Sequence, residues 1–81
     1  MSVSSLVSEH ASGEVVLTLN GARHAAPSRS TVADLLASLE LDARTVVIER
    51  NGTILRDRPS FAKLELAAGD SLEIVHFVGG G

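Results

Sequence analysis

Val15-Val16-Leu17-Thr18-Leu19-Asn20-Gly21 is the stretch that decides the fold. Val15, Leu17 and Leu19 alternate with their neighbours in a β-branched run, the pattern of a half-buried strand. Asn20-Gly21 then supplies two residues that tolerate positive φ, as a type I′ turn requires, so the chain reverses there. Arg23 to Ala26 reads as the return strand, ending before Pro27. A helix follows. Ser30 or Thr31 can cap its first N–H groups, and Thr31 with Asp34 approximates a capping box. Val32, Leu35, Leu36 and Leu39 repeat at helical spacing and form one apolar stripe, with Leu41 finishing the contact as the helix runs out near Asp42.

Beyond the helix the pattern returns to strands. Thr45-Val46-Val47-Ile48-Glu49-Arg50 is a strand, Asn51-Gly52 a second hairpin signal, and Thr53 to Arg56 its return, broken by Pro59. Phe61 to Leu66 fits a short turn of helix and a short strand, Ala68-Gly69-Asp70 a turn, and Ser71 to Val78 the last strand. Hairpin, amphipathic helix and later strands predict an α+β fold with the helix on one face of a sheet. The expected organisation is a flexible leader over residues 1–13, one domain over 14–78, and a flexible glycine tail over 79–81.

Composition narrows the function. At 81 residues the chain is one small domain. It has no cysteine, which excludes disulfides, thiolate metal sites and a cysteine nucleophile. A net charge of −3, scattered basic residues and only two aromatics, Phe61 and Phe77, argue against a nucleic-acid surface. No stretch approaches the roughly 20 apolar residues that span a bilayer, so no membrane association is expected and the cytoplasm is the default location. The Ser-rich start carries no Lys or Arg and is neither a secretory signal nor a transit peptide.

The chemistry is concentrated at the end. Leu72-Glu73-Ile74-Val75-His76-Phe77-Val78 runs directly into Gly79-Gly80-Gly81. Glycine is costly to order, so it is kept where the backbone needs freedom or close approach. Fully extended, the three glycines reach roughly 10 Å, enough to carry the carboxylate of Gly81 into a partner's active site. That carboxylate is ionised at neutral pH. Aligned with ATP-Mg it can attack the α-phosphate, and the acyl-adenylate so formed is open to a persulfide, a thiol or a lysine amine. Alternation puts Leu72, Ile74, His76 and Val78 on one face and Glu73, Val75 and Phe77 on the other. With Leu72 and Ile74 under the helix, Val75 and Phe77 are candidate docking residues beside the tail. His10, His24 and His76 are dispersed with no second ligand at metal spacing, and His76 reads as a hydrogen-bonded strand residue or part of the docking edge. Glu49-Arg50 and Arg56-Asp57-Arg58 read as solvated hairpin surface. No acid–base pair or Ser/His/Asp set is apparent, so the chain reads as a substrate and not a catalyst.

The succession Val15–Gly21, Thr31–Leu36, Val46–Gly52, Leu66–Asp70 and Ile74–Gly81 resembles the ThiS family, the ubiquitin-like sulfur carriers of thiamine biosynthesis. The resemblance covers about Glu14 to Gly81, and its most specific part is the Gly-Asp turn followed by the Ile74-Val75-His76-Phe77-Val78-Gly79-Gly80-Gly81 ending. It implies a β-grasp fold. It also implies three partners: an E1-like adenylyltransferase of the ThiF type that uses ATP-Mg on Gly81, a persulfide enzyme as sulfur donor, and a ThiG-type thiazole synthase that accepts the sulfur. Gly80 and Gly81 match the family's terminal pair; the leader departs from its usual short start. The rival is the small subunit of molybdopterin synthase, which shares fold and tail but tends to carry a proline-containing aromatic stretch before the diglycine. A ubiquitin-like protein modifier and an interaction module with an idle tail remain open. An iron–sulfur ferredoxin is excluded by the missing cysteines.

Overall fold

The structure, a computed structural model, describes residues 13–77. All of the expected leader but Gly13, together with Val78 and the glycine tail, lies outside the described residues. The elements are β1 (Glu14–Leu19), β2 (Ala22–Pro27), α1 (Val32–Ser38), a 3₁₀ turn (Ala43–Thr45), β3 (Val46–Arg50), β4 (Thr53–Ile54), a second 3₁₀ turn (Arg58–Lys63) and β5 (Ser71–His76). The strands form one five-stranded sheet in the order β2-β1-β5-β3-β4. β1 and β5 run parallel at its centre, and the other neighbours are antiparallel. A mixed sheet with one helix across one face agrees with the α+β reading of the elements and is the β-grasp arrangement that the family resemblance implies.

Both Asn-Gly pairs make the turns expected of them. Asn20 and Gly21 have φ of 50° and 82°, and Asn51 and Gly52 have 51° and 87°. Pro27 is tolerated as the last residue of β2 because β2 is a sheet edge, where a missing N–H breaks no ladder bond. Thr31 caps α1 through a reciprocal box: its Oγ1 accepts from the Asp34 N–H at 3.1 Å, and the Asp34 carboxylate accepts from the Thr31 N–H at 2.9 Å.

The helix is shorter than its apolar stripe. It stops at Ser38, and Glu40 adopts φ of 59°. The Glu40 N–H donates to the Ala37 carbonyl at 3.0 Å and the Leu41 N–H to the Leu36 carbonyl at 2.9 Å, which is a Schellman ending with glutamate where glycine is usual. Other boundaries also shift: β2 starts at Ala22 and takes in Pro27, and β5 stops at His76. Thr45 belongs to a 3₁₀ turn, β4 has two residues instead of four, and the helical turn expected near Phe61 begins at Arg58. The short strand after it reduces to one bridge, Thr31 with Glu65.

The core lies between α1 and one sheet face. Val32, Leu35 and Leu36 from the helix meet Leu17, Ala26, Val46, Ile48 and Leu72 from the strands, closed at the sides by Phe61 and Leu66. Each large side chain contributes roughly 1.5–3 kcal/mol by leaving water. The other sheet face has no covering element among the described residues. Val16, Ile54, Val75 and Phe77, the large apolar side chains left exposed, belong to this face by strand alternation.

Candidate functional site

The glycine tail follows β5, so the site is built from what fixes that strand. The first contribution comes from the two Asn-Gly turns. β1 pairs with β5 only through Thr18–Ser71 and Leu19–Leu72 before the chain reverses. The Asn20 carboxamide then acts as one further strand residue. Its Oδ1 accepts from the Ile74 N–H at 2.7 Å, and its Nδ2 donates to the Ile74 carbonyl at 3.3 Å. Asn51 does the same at the start of β5: its Oδ1 accepts from the Ser71 N–H, and its own N–H donates to the Ser71 carbonyl, both at 2.8 Å. Each turn therefore supplies a side chain that extends the ladder on one edge of β5.

Behind the second clamp lies the buried Asp70. Its carboxylate accepts from Arg50 Nε at 3.1 Å and Nη2 at 2.8 Å, from Asn51 Nδ2 at 3.1 Å and from the Ala67 N–H at 2.8 Å. Burial works to raise its pKa, but the Ala67, Asn51 and Arg50 hydrogen bonds and the Arg50 charge outweigh burial and hold it below the usual carboxylate range. Arg50 also donates to the Glu65 carbonyl at 2.8 Å, so one guanidinium ties β3 to the turn that launches β5.

The far end of β5 is anchored differently. The Phe77 N–H donates to the Thr45 carbonyl at 3.0 Å. Thr45 ends the 3₁₀ turn that Asp42 caps, its carboxylate accepting from the Arg44 N–H at 2.9 Å and from Arg44 Nη2 at 2.8 Å. The Arg44 side-chain bond, then its backbone bond, lower the Asp42 carboxyl to about 2. Arg58 donates to the Ala43 carbonyl and the Val46 carbonyl, both at 2.9 Å, and so holds the same turn against β3. The chain is thus positioned by backbone and side-chain bonds as far as Phe77. Val75, 61% exposed, and Phe77, 46% exposed, stand on the uncovered face at this end, with Val47 beside Val75 on β3. Gly79, Gly80 and Gly81 lie outside the described residues.

The sequence pattern of the ThiS family matches residues 13–81. The chain belongs to the ThiS family. It is similar to the sulfur carrier protein ThiS of Bacillus subtilis (strain 168), 47% identical over 51 residues that make up 63% of this chain and 76% of that protein. The crystal structure of the thiamine biosynthesis protein ThiS from Geobacter metallireducens matches with a TM-score of 0.69 at 33% identity, over 83% of this chain and 100% of that one. A thiazole synthase of Paramagnetospirillum magneticum is 42% identical over 65 residues, which are 80% of this chain but only 20% of that protein. One from Magnetococcus marinus is 36% identical over 63 residues, 78% of this chain and 19% of that one. This ThiS-family chain therefore spans about a fifth of each thiazole synthase it matches.

ThiS-family chains are sulfur carriers and not catalysts, which agrees with the reading of this one as a substrate. Two sequence readings need correction. Arg50 is not solvated surface, because the residue faces the core side and pairs with Asp70. Arg58 is likewise half-buried and engaged with two carbonyls, since its 3₁₀ turn folds it over β3. His76 is exposed, and its ring has no hydrogen-bond partner among the described residues. Reading by residue missed Asn20, Asn51, Asp70 and Arg58. The Asn-Gly pairs did signal turns, but nothing local shows which strand their carboxamides reach. Among the described residues no helix is long and apolar enough to cross a membrane.

Proposed function

We propose that Gly81 is the working residue of this sulfur carrier. Its carboxylate attacks the α-phosphate of ATP in a ThiF-type enzyme, expelling pyrophosphate and forming the acyl-adenylate. A persulfide sulfur from a donor enzyme then attacks the Gly81 carbonyl and AMP leaves. A thiol cleaves the resulting acyl disulfide and leaves the thiocarboxylate, the thiol becoming a disulfide with the donor. A ThiG-type thiazole synthase accepts that sulfur for the thiazole ring. Val75 and Phe77 dock these enzymes, and Gly79 and Gly80 thread the tail toward the active site.

The observation that carries this reading is membership of the ThiS family through to Gly81, in a chain whose β5 is held on one edge by Asn20 at Ile74 and on the other by Thr45 at Phe77. Pinning matters because a tail on a fixed base is delivered in one direction, which reduces the entropy lost on docking. Two thiazole synthases that contain a segment similar to this chain favour the thiazole route over molybdopterin synthesis. The test is thiazole formation in a reconstituted system of carrier, ATP-Mg, activating enzyme, persulfide donor and thiazole synthase. Deleting Gly81 abolishes product while circular dichroism shows the fold unchanged. Full product from the deleted chain would refute the assignment.

A further inference from the structure

The uncovered sheet face is apolar at its rim and carries a like-charged pair at its centre. β3 and β5 run antiparallel with Glu49 directly opposite Glu73. Side chains so placed have Cβ atoms about 4.5–5.5 Å apart, and like charges in that position destabilise a sheet. Neither carboxylate has a hydrogen bond or an ion pair among the described residues, where the ion pairs are Arg44–Asp42 and Arg50–Asp70. Arg50 follows Glu49 in sequence but sits on the other face, committed to Asp70. On the same face the exposed Arg23 is on β2, two strands from Glu73 on β5 and three from Glu49 on β3, and it forms no ion pair with either.

The surroundings sharpen the conflict. Val47 and Val75 form the next cross-strand pair toward the tail, and Ile54 pairs beside Glu49 on β4. Glu49 is half-buried among these groups. Apolar neighbours lower the local dielectric, so the repulsion is felt more strongly than between two fully hydrated carboxylates. An uncovered face with exposed apolar residues and an unneutralised carboxylate pair fits a partner of opposite charge.

We infer that the Glu49–Glu73 pair receives an arginine or lysine side chain of the thiazole synthase, set among apolar residues that cover Val75 and Phe77. Arginine fits best, because its planar fork can donate to both carboxylates at once. This inference rests on the open face being the docking surface and adds what the partner must carry there. The pair costs stability in the free carrier and gains a partner in the complex. It also selects against surfaces that are apolar but acidic.

The test measures affinity of the full-length carrier for the thiazole synthase of the same organism, at low and high NaCl, by fluorescence anisotropy. The double variant Glu49→Gln/Glu73→Gln is compared with Val75→Asp. The double variant is expected to bind about tenfold more weakly at low salt. The wild-type advantage shrinks at high salt as charge is screened. Free, the same variant should melt about 2–4 °C higher, because the repulsion is gone. Affinity within about twofold of wild type at low salt overturns the inference. If Val75→Asp still weakens binding in that case, the docking reading survives without the charge pair. If neither variant changes affinity, both fall.

Discussion

Replacing Asp70 by alanine removes the acceptor of four hydrogen bonds that join β3, the turn before β5 and the second Asn-Gly turn. A hydrogen bond to a charged group contributes roughly 1.5–3 kcal/mol. The sum overstates the loss, because Arg50 keeps the Glu65 carbonyl and leaves 21% of its side chain in water, where it rehydrates. The Ala67 N–H and the Asn51 carboxamide also lose their partner. A net loss of about 3 kcal/mol follows, the lower end for one partner removed from a buried pair. A domain of this size has a total of roughly 3–10 kcal/mol, so the variant is close to unfolding. The assay is urea unfolding followed by far-ultraviolet circular dichroism, since the chain has no tryptophan or tyrosine to report by fluorescence. A loss below about 1 kcal/mol would show that these bonds do not hold β5 in place. Acid supplies the second arm. Asp70 has a lowered pKa in the folded state, so its contribution is present above the ordinary carboxylate range and is lost as pH falls through the folded value. Wild-type stability should therefore decline below about pH 4. Asp70→Asn should be weaker at pH 7 and decline less on acidification; an identical acid limb would contradict the assignment.

Leu36→Ala opens a cavity under the helix, where Leu36 is 3% exposed, and should cost about 2–5 kcal/mol in the same urea assay; a loss below about 0.5 kcal/mol would sink the core assignment. Asn20→Gly keeps a residue that tolerates positive φ but removes the carboxamide from Ile74. Amide exchange at Ile74 should speed up roughly tenfold, and an unchanged rate would show that the clamp does not hold β5. Phe77→Asp lies on the uncovered face, so it should leave the circular dichroism spectrum intact while weakening binding to the activating enzyme at least about tenfold; unchanged affinity would remove Phe77 from the docking surface.

The parts of this fold that sequence reveals are those governed by local rules. Asn20-Gly21 and Asn51-Gly52 specify their turns through backbone φ, Thr31 and Asp34 specify a helix start, and alternation in β5 separates Leu72 and Ile74 from Val75 and Phe77. What escapes is set by contacts distant in sequence. Glu40 ends the helix in a conformation usually left to glycine, and its carbonyl-capping bonds carry no composition signal. Arg50 and Arg58 look like surface charges until the fold brings Asp70, Ala43 and Val46 to them. The glycine ending is a sequence signal of another kind, because glycine marks a requirement on backbone freedom whatever the tertiary structure, and the role given to Gly81 is the proposal made above. The opposed Glu49 and Glu73 became visible only once the register of β3 on β5 was known.

Intact mass is the decisive measurement of whether Gly81 carries the sulfur. The purified chain is incubated with ATP-Mg, a ThiF-type enzyme and a persulfide donor, then reduced and weighed. The expected result is a gain equal to one oxygen replaced by one sulfur, localised to the C-terminal glycine and absent when Gly81 is deleted. An unchanged mass, with an activating enzyme that modifies its own known carrier in parallel, would contradict it.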